Sequence, residues 1–263
     1  ETLMPLARPD DYVAFQMKPQ DNAANLAPGY LETLQGLSAR LQRRFLHGEF
    51  ADANPNALFP DEAIDKWRHL GGELPQFVRV VVSVDPSGAD DDENVNNDDI
   101  GVVVAALGID GNAYLLEDLT LKAGPATWGR TAVRAYENHL ADAIVGETNF
   151  GGAMVEFTVQ AVAKDMGVTP KFKKVTASRG KTQRAEPFSA LYEQGKVRHV
   201  GRFPELEEEM AGFSTHGYTG VRSPNRADAL FWALAELFPG MTRPPRKGRT
   251  LDLDSKGSPW MAT

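Results

Sequence analysis

Three acidic residues stand where a regular element of the chain begins or ends, each close to glycine or a turn former. Asp85 closes the apolar run FVRVVVSVD ahead of Pro-Ser-Gly. Glu147 closes AIVGE ahead of Thr-Asn-Phe-Gly-Gly, and Asp228 falls in the first turn of the helical pattern SPNRADALFWAL. Singly, each has a structural explanation. An Asp after a strand caps turn amides, and Glu147 could be an exposed rim residue. A carboxylate just after an Asn225 N-cap favours the helix dipole by roughly 0.3–1 kcal/mol. Together they point to chemistry. If their strands are parallel neighbours, Asp85 and Glu147 share one carboxyl edge, where open sheets bind ligands. Crowded carboxylates repel unless a cation or a raised pKa relieves them. Hard oxygen ligands select Mg²⁺ or Mn²⁺, and two such ions about 3.5–4 Å apart can activate a water and stabilise the leaving oxygen of a phosphodiester.

The remaining residue types exclude several rivals. The histidines (His47, His69, His139, His199, His216) form no HxxxH or HxH pair, which argues against zinc. There is no cysteine, no GxSxG and no GxxxxGK[ST], so thiol or serine acyl transfer and P-loop ATP hydrolysis have no candidate. A formal net charge of −8 argues against bulk attraction to nucleic acid. Any such contact must use a local patch, and one exists: KFKKVTASRGKTQR, Lys171 to Arg184, contains no acid. Lys173, Lys174, Arg179, Lys181 and Arg184 are the candidate phosphate contacts in it. For the lysines of the strand a solvated face explains the charge equally well. Arg179, Lys181 and Arg184 surround a helix start, where cations oppose the dipole and need another reason to be there.

The elements that must position these residues can be read from periodicity. Phe77–Asp85 is a β-branched run of the kind buried on both faces. IGVVVAALGID and NAYLLEDLTLK, joined by Asp110-Gly111-Asn112, read as a hairpin, since Asp-Gly suits positive φ. A helix from Pro125 would carry Trp128, Ala132, Ala135, Tyr136 and Leu140 on one side. After the strand AIVGET, a helix beyond Gly151-Gly152 would bury Met154, Val155, Val159, Val162 and Met166. A strand FKKVTA, helices at about Gln183–Gln194, PELEEEM and Asn225–Phe238 complete the pattern. A β-meander followed by α/β units predicts a mixed sheet covered by helices. Residues 1–75, with a helix from about Pro28 carrying Leu31, Leu34, Leu37 and Leu41, read as an extension that covers an edge of a 76–240 body. Residues 241–263, including the basic RPPRKGR, read as a mobile tail. No apolar run approaches the about 18 residues that span a membrane. The chain starts at Glu1 and reads as a possible fragment of something longer.

In order, VSVDPSG, IVGETNFGGAMV, KTQRAEPFSALYEQGKVRHVG, LEEEMAGFST and NRADALFWALAEL resemble the C-terminal nuclease domain of the tailed-bacteriophage terminase large subunit. The resemblance covers about Phe77 to Phe238. It implies an α/β, ribonuclease H-like fold and a metal-dependent endonuclease acting on double-stranded DNA in the host cytoplasm during genome packaging. Asp85, Glu147 and Asp228 would be the metal ligands of a site using Mg²⁺ or Mn²⁺, with two ions expected. Lys181 and Arg184 would lie near the DNA path, and FSTHGYTGVRSPN would supply a β-hairpin beside the cleft. In the full protein an ATPase domain, the portal and the small terminase subunit would be partners. The insert ADDDENVNNDD could add a ligand such as Asp90 or Asp99, or screen DNA from the site. Rival readings are a Holliday-junction resolvase or ribonuclease H-type nuclease, a DNA- or partner-docking module with little catalysis, and a sugar-kinase or actin-like phosphotransferase.

Overall fold

The β-branched run that ends in Asp85 lies in the middle of the molecule because only a central strand buries both of its faces. The computed structural model describes residues 17–35, 42, 45–48, 56–86, 99–147, 152–176, 180–220 and 222–242. Among them, six strands form one sheet: β1 (Phe77–Pro86), β2 (Ile100–Gly108), β3 (Ala113–Asp118), β4 (Ala143–Glu147), β5 (Phe172–Val175) and β6 (Val197–His199). Their order is β5-β4-β1-β2-β3-β6. β1, β2 and β3 make the expected antiparallel meander, while β4 runs parallel to β1, β5 to β4, and β6 to β3. β6 was not anticipated, since three residues carry too little pattern to read. A second pair, β7 (Phe213–Ser214) and β8 (Gly217–Tyr218), forms the short hairpin within FSTHGYTG.

Along β1 the side chains alternate between two cores, as the pleat requires. Val80, Val82 and Val84 face one layer of helices, α3 (Pro125–Asn138) and α4 (Gly152–Met166). Val81 faces the other, which contains α5 (Lys181–Glu193), α6 (Pro204–Ala211) and α7 (Asn225–Leu237). α3 starts with Pro125 in its first turn, where the missing N–H costs nothing. The helix ends at Asn138, so Leu140, expected on the helix, sits past it at positive φ and is 86% exposed. Met154, expected inward, is exposed on α4. At the β2–β3 turn Gly111 has φ +74°, the role expected of Asp-Gly.

The N-terminal segment enters the second core. Among its described residues are α1 (Tyr30–Gln35), within the expected helix, and α2 (Asp61–Lys66). Leu34 is buried and Leu31 half-buried, whereas Leu37 and Leu41 lie outside the described residues. Phe59 is fully buried among Tyr192, Phe213 and Phe231. The Leu58 amide donates to the Phe213 carbonyl at 2.9 Å. Arg68 reaches across to Glu207, which also accepts from His199 Nδ1 at 2.8 Å, and His199 Nε2 pairs with Tyr192 Oη at 2.8 Å. This buried chain of polar groups ties the segment to α5, β6 and α6. The last described element is α8 (Pro239–Thr242); residues 243–263, with the basic tail, lie outside the described part.

Candidate active site at the carboxyl edge of the sheet

The parallel register of β1 and β4 pairs Val84 with Gly146, so the next residue on each strand, Asp85 and Glu147, emerges at the same carboxyl edge. The antiparallel register on the other side pairs Asp85 with Gly101 of β2. Gly101 is what lets α7 cross there. A Cβ at this position would stand 2.1 Å from the Asn225 carbonyl oxygen, so only glycine admits the start of the helix. Asn225 is the first helical residue rather than the cap, and its side-chain amide donates to the Asp99 carbonyl at 2.8 Å. The close crossing places Asp228, three residues on, over the tip of β1.

Asp85 and Asp228 are 6% and 2% exposed, unusual values for carboxylates. Burial is the main reason the Asp85 carboxyl is pushed well above the usual range. The nearby charges of Asp228 and Glu147 push it further, against a smaller pull from Arg184 and Lys181. Burial also raises Asp228, although Arg184 and Lys181 oppose it. The three acids therefore share one electrostatic site, and they offer the hard oxygen donors that a divalent cation requires. The donor chemistry fits Mg²⁺ or Mn²⁺.

Cations of the protein itself stand in this crevice. Arg184, on α5, places one guanidinium nitrogen 3.3 Å from Glu147 Oε2 and the other 3.1 Å from Asp228 Oδ1. Lys181 Nζ donates to Ser223 Oγ at 2.6 Å and lies 3.6 Å from Asp228 Oδ2. The Trp232 indole N–H donates to Glu147 Oε2 at 3.0 Å, and the Arg184 guanidinium carbon sits 4.7 Å from the centre of the same ring. With the side chains so arranged, no three acidic or histidine residues among the described ones converge as a ready metal cage.

The other candidates are spread more widely. Lys173 Nζ contacts both oxygens of Glu236 at 2.6 Å, and Arg79 pairs with the same carboxylate. Lys174 pairs with Glu156 at 2.5 Å. Arg179 and Asp90 lie outside the described residues, and the Asp99 carbonyl serves the Asn225 contact. Sequence reasoning missed Trp232 and Glu236. Both had a signal, since Trp232 follows Asp228 by one helical turn and Glu236 follows Trp232 by another, on one stripe of α7.

This geometry can be set beside known proteins. Residues 82–237, more than half of the 263-residue chain, match the model of the terminase RNaseH-like domain. The chain belongs to that family. Its six-stranded mixed sheet with helices on both faces is thus the α/β ribonuclease H-like fold expected. The large terminase nuclease of thermophilic phage G20c with bound magnesium is similar at 16% identity over 69% of this chain and 98% of that one, with a TM-score of 0.48. The P22 large terminase nuclease domain is similar at 12% identity, covering 70% and 95%, with a TM-score of 0.49. RuvC of T. thermophilus in complex with a Holliday junction substrate shows 18% identity, 62% and 96% coverage and a TM-score of 0.35. No curated protein matches. In this terminase RNaseH-like domain the acids stand on β1, β4 and α7, all within the matched span.

Proposed function

We propose that this terminase RNaseH-like domain is a metal-dependent endonuclease that cuts double-stranded DNA during viral genome packaging. The observation that carries the reading is that Asp85 and Glu147, from two parallel strands, stand at one carboxyl edge where the crossing helix brings Asp228, with Asp85 and Asp228 buried. Asp85 would hold metal from the centre, with Glu147 and Asp228 on either side. Mg²⁺ or Mn²⁺ bound there, as two ions, would make a water nucleophilic near neutral pH and neutralise the departing oxygen of the scissile phosphate.

The chain's own residues supply the rest. β1 and α7 hold Asp85 and Asp228 rigidly and largely out of water, where their charges interact strongly. Trp232 orients Glu147 through its indole N–H. Lys181 stands half-exposed at the rim, placed to meet a phosphate. Lys173 and Lys174, held by Glu236 and Glu156, would have to exchange those carboxylates for phosphate to extend that path. Within a complete large terminase subunit the domain would work beside an ATPase domain, the portal and the small subunit, in the cytoplasm of the infected cell.

The test is cleavage of plasmid DNA in Mn²⁺ by Asp85→Asn, Glu147→Gln and Asp228→Asn variants. Each should lose more than the about 10–100-fold that loss of an outer-shell partner of a metal costs. Cleavage at the wild-type rate by folded Asp85→Asn or Asp228→Asn would overturn the site. Linear duplex, four-way junction and RNA–DNA hybrid run side by side identify the preferred substrate.

A further inference from the structure

We infer that Arg184 is a resident competitor for the metal, and that a DNA phosphate draws it out of the crevice and so couples DNA arrival to metal binding. The inference rests on the metal-dependent reading above and concerns a step which that reading leaves open: how the ions enter a site already holding the protein's own cations.

Lone pairs decide the competition. Glu147 Oε2 already accepts from Trp232 Nε1 and from Arg184, while Asp228 Oδ1 accepts from Arg184 and Oδ2 faces Lys181. An oxygen engaged by a guanidinium points its electrons at N–H groups and cannot also ligate an ion in the same direction. Three carboxylates facing Arg184 and Lys181 carry a formal charge of −1, counted as three negative and two positive. Two divalent ions added to that set would leave a net excess of +3, so Arg184 has to yield.

The Arg184 contacts are those of a side chain able to yield. At 3.3 and 3.1 Å they exceed the about 2.7–2.9 Å of a good charge-assisted pair. The structural pair Arg68–Glu207 closes to 2.5 Å in the same protein, and Arg226–Asp118 to 2.9 Å. Arg184 Nε is buried and finds no acceptor among the described residues, which leaves one of its donors at a cost. Departure would not collapse the site, because Trp232 keeps its own bond to Glu147 and its ring remains a seat for the guanidinium. A phosphate is the natural alternative acceptor, since two of its oxygens match the guanidinium fork. Lys181, one turn away on α5 and half-exposed, marks the direction from which that phosphate would arrive.

Mn²⁺ titration of the full chain, followed by the electron paramagnetic resonance of free Mn²⁺, tests this without any turnover. Arg184→Gln should bind Mn²⁺ roughly ten- to a hundredfold more tightly than wild type, the factor that one charge-assisted contact commands. Arg184→Lys should fall between them. A short phosphorothioate duplex, resistant to cutting, should tighten Mn²⁺ binding to wild type and leave Arg184→Gln nearly unchanged. Equal Mn²⁺ affinity in wild type and folded Arg184→Gln, or an equal effect of the duplex on both, overturns the competition and leaves the metal site standing. Weaker binding in the variant makes Arg184 a support of the acids and overturns it too. Absence of Mn²⁺ binding in every protein, or binding that survives Asp85→Asn in the Arg184→Gln background, sinks the metal-site reading itself. If Arg184→Gln fails to fold, Arg184→Lys and the duplex effect on wild type decide.

Discussion

Gly101→Ala should damage the site far more than it damages the fold. The added methyl would meet the Asn225 carbonyl oxygen at 2.1 Å, its carbon at 2.7 Å and the Ala229 Cβ at 3.0 Å. Carbon contacts are comfortable at about 3.5–4.0 Å, so β2 and the first turn of α7 must part by roughly 1–1.5 Å. Overpacking of this kind costs about 1–3 kcal/mol. At about 2–4 °C per kcal/mol for a chain of this size, Tm should fall by roughly 2–12 °C. The displaced turn carries Asp228, and Gly101 is the register partner of Asp85, so the two acids separate along the direction of the strain. A misplacement near 1 Å can cost about a hundredfold in rate. Plasmid cleavage in Mn²⁺ at 25 °C, well below the lowered Tm, should therefore drop by about two orders of magnitude. Gly124→Ala, where an added Cβ meets nothing within 4 Å, is the control and should cleave normally. A Gly101→Ala protein with wild-type Tm and cleavage would show that α7 does not bear on β2 as described. Lowered Tm with full cleavage would show that the position of Asp228 is not what cleavage depends on.

Other expectations concern stability. Burial pushes the Glu207 carboxyl up, but hydrogen bonds from His199 and Arg68 outweigh it and hold the group at about 2. A carboxyl depressed on folding stabilises above its unfolded value of about 4.3, and that stability, about 3 kcal/mol, drains away as pH falls towards 2. Burial also lowers His199, which adds a loss beginning as pH drops below about 6.5. Urea unfolding should show Glu207→Gln weaker by about 3–5 kcal/mol at pH 7, because a buried pair is broken, and much less acid-sensitive below pH 4; an unchanged acid limb would refute the assignment. Phe59→Ala should cost about 3–5 kcal/mol and keep a single unfolding transition, because the ring sits among Tyr192, Phe213 and Phe231. A loss below about 1 kcal/mol would mean that this segment contributes little to the core.

What the sequence determined by itself was local. The β-branched run of β1, the Asp-Gly turn after β2 and the helical stripe of α7 each carry their periodicity in consecutive residues, and Asp85, Glu147 and Asp228 stand out at their ends for the same reason. The relation between those ends was not local. That β4 lies parallel beside β1, and that Gly101 opens the space through which α7 delivers Asp228, follow from contacts between residues far apart in the chain. The basic window shows this most clearly. Lys171 to Arg184 contains no acid, so Lys173, Lys174, Arg179, Lys181 and Arg184 read as candidates for phosphate, with a solvated face as the alternative for the strand lysines. In the folded protein Glu236 takes Lys173, Glu156 takes Lys174, and Glu147 and Asp228 take Arg184. Electrostatic attraction is decided by distance in space, and the chain brings those carboxylates from three other elements. Sequence alone could therefore place the acids, while only the tertiary structure could show which cation answers them.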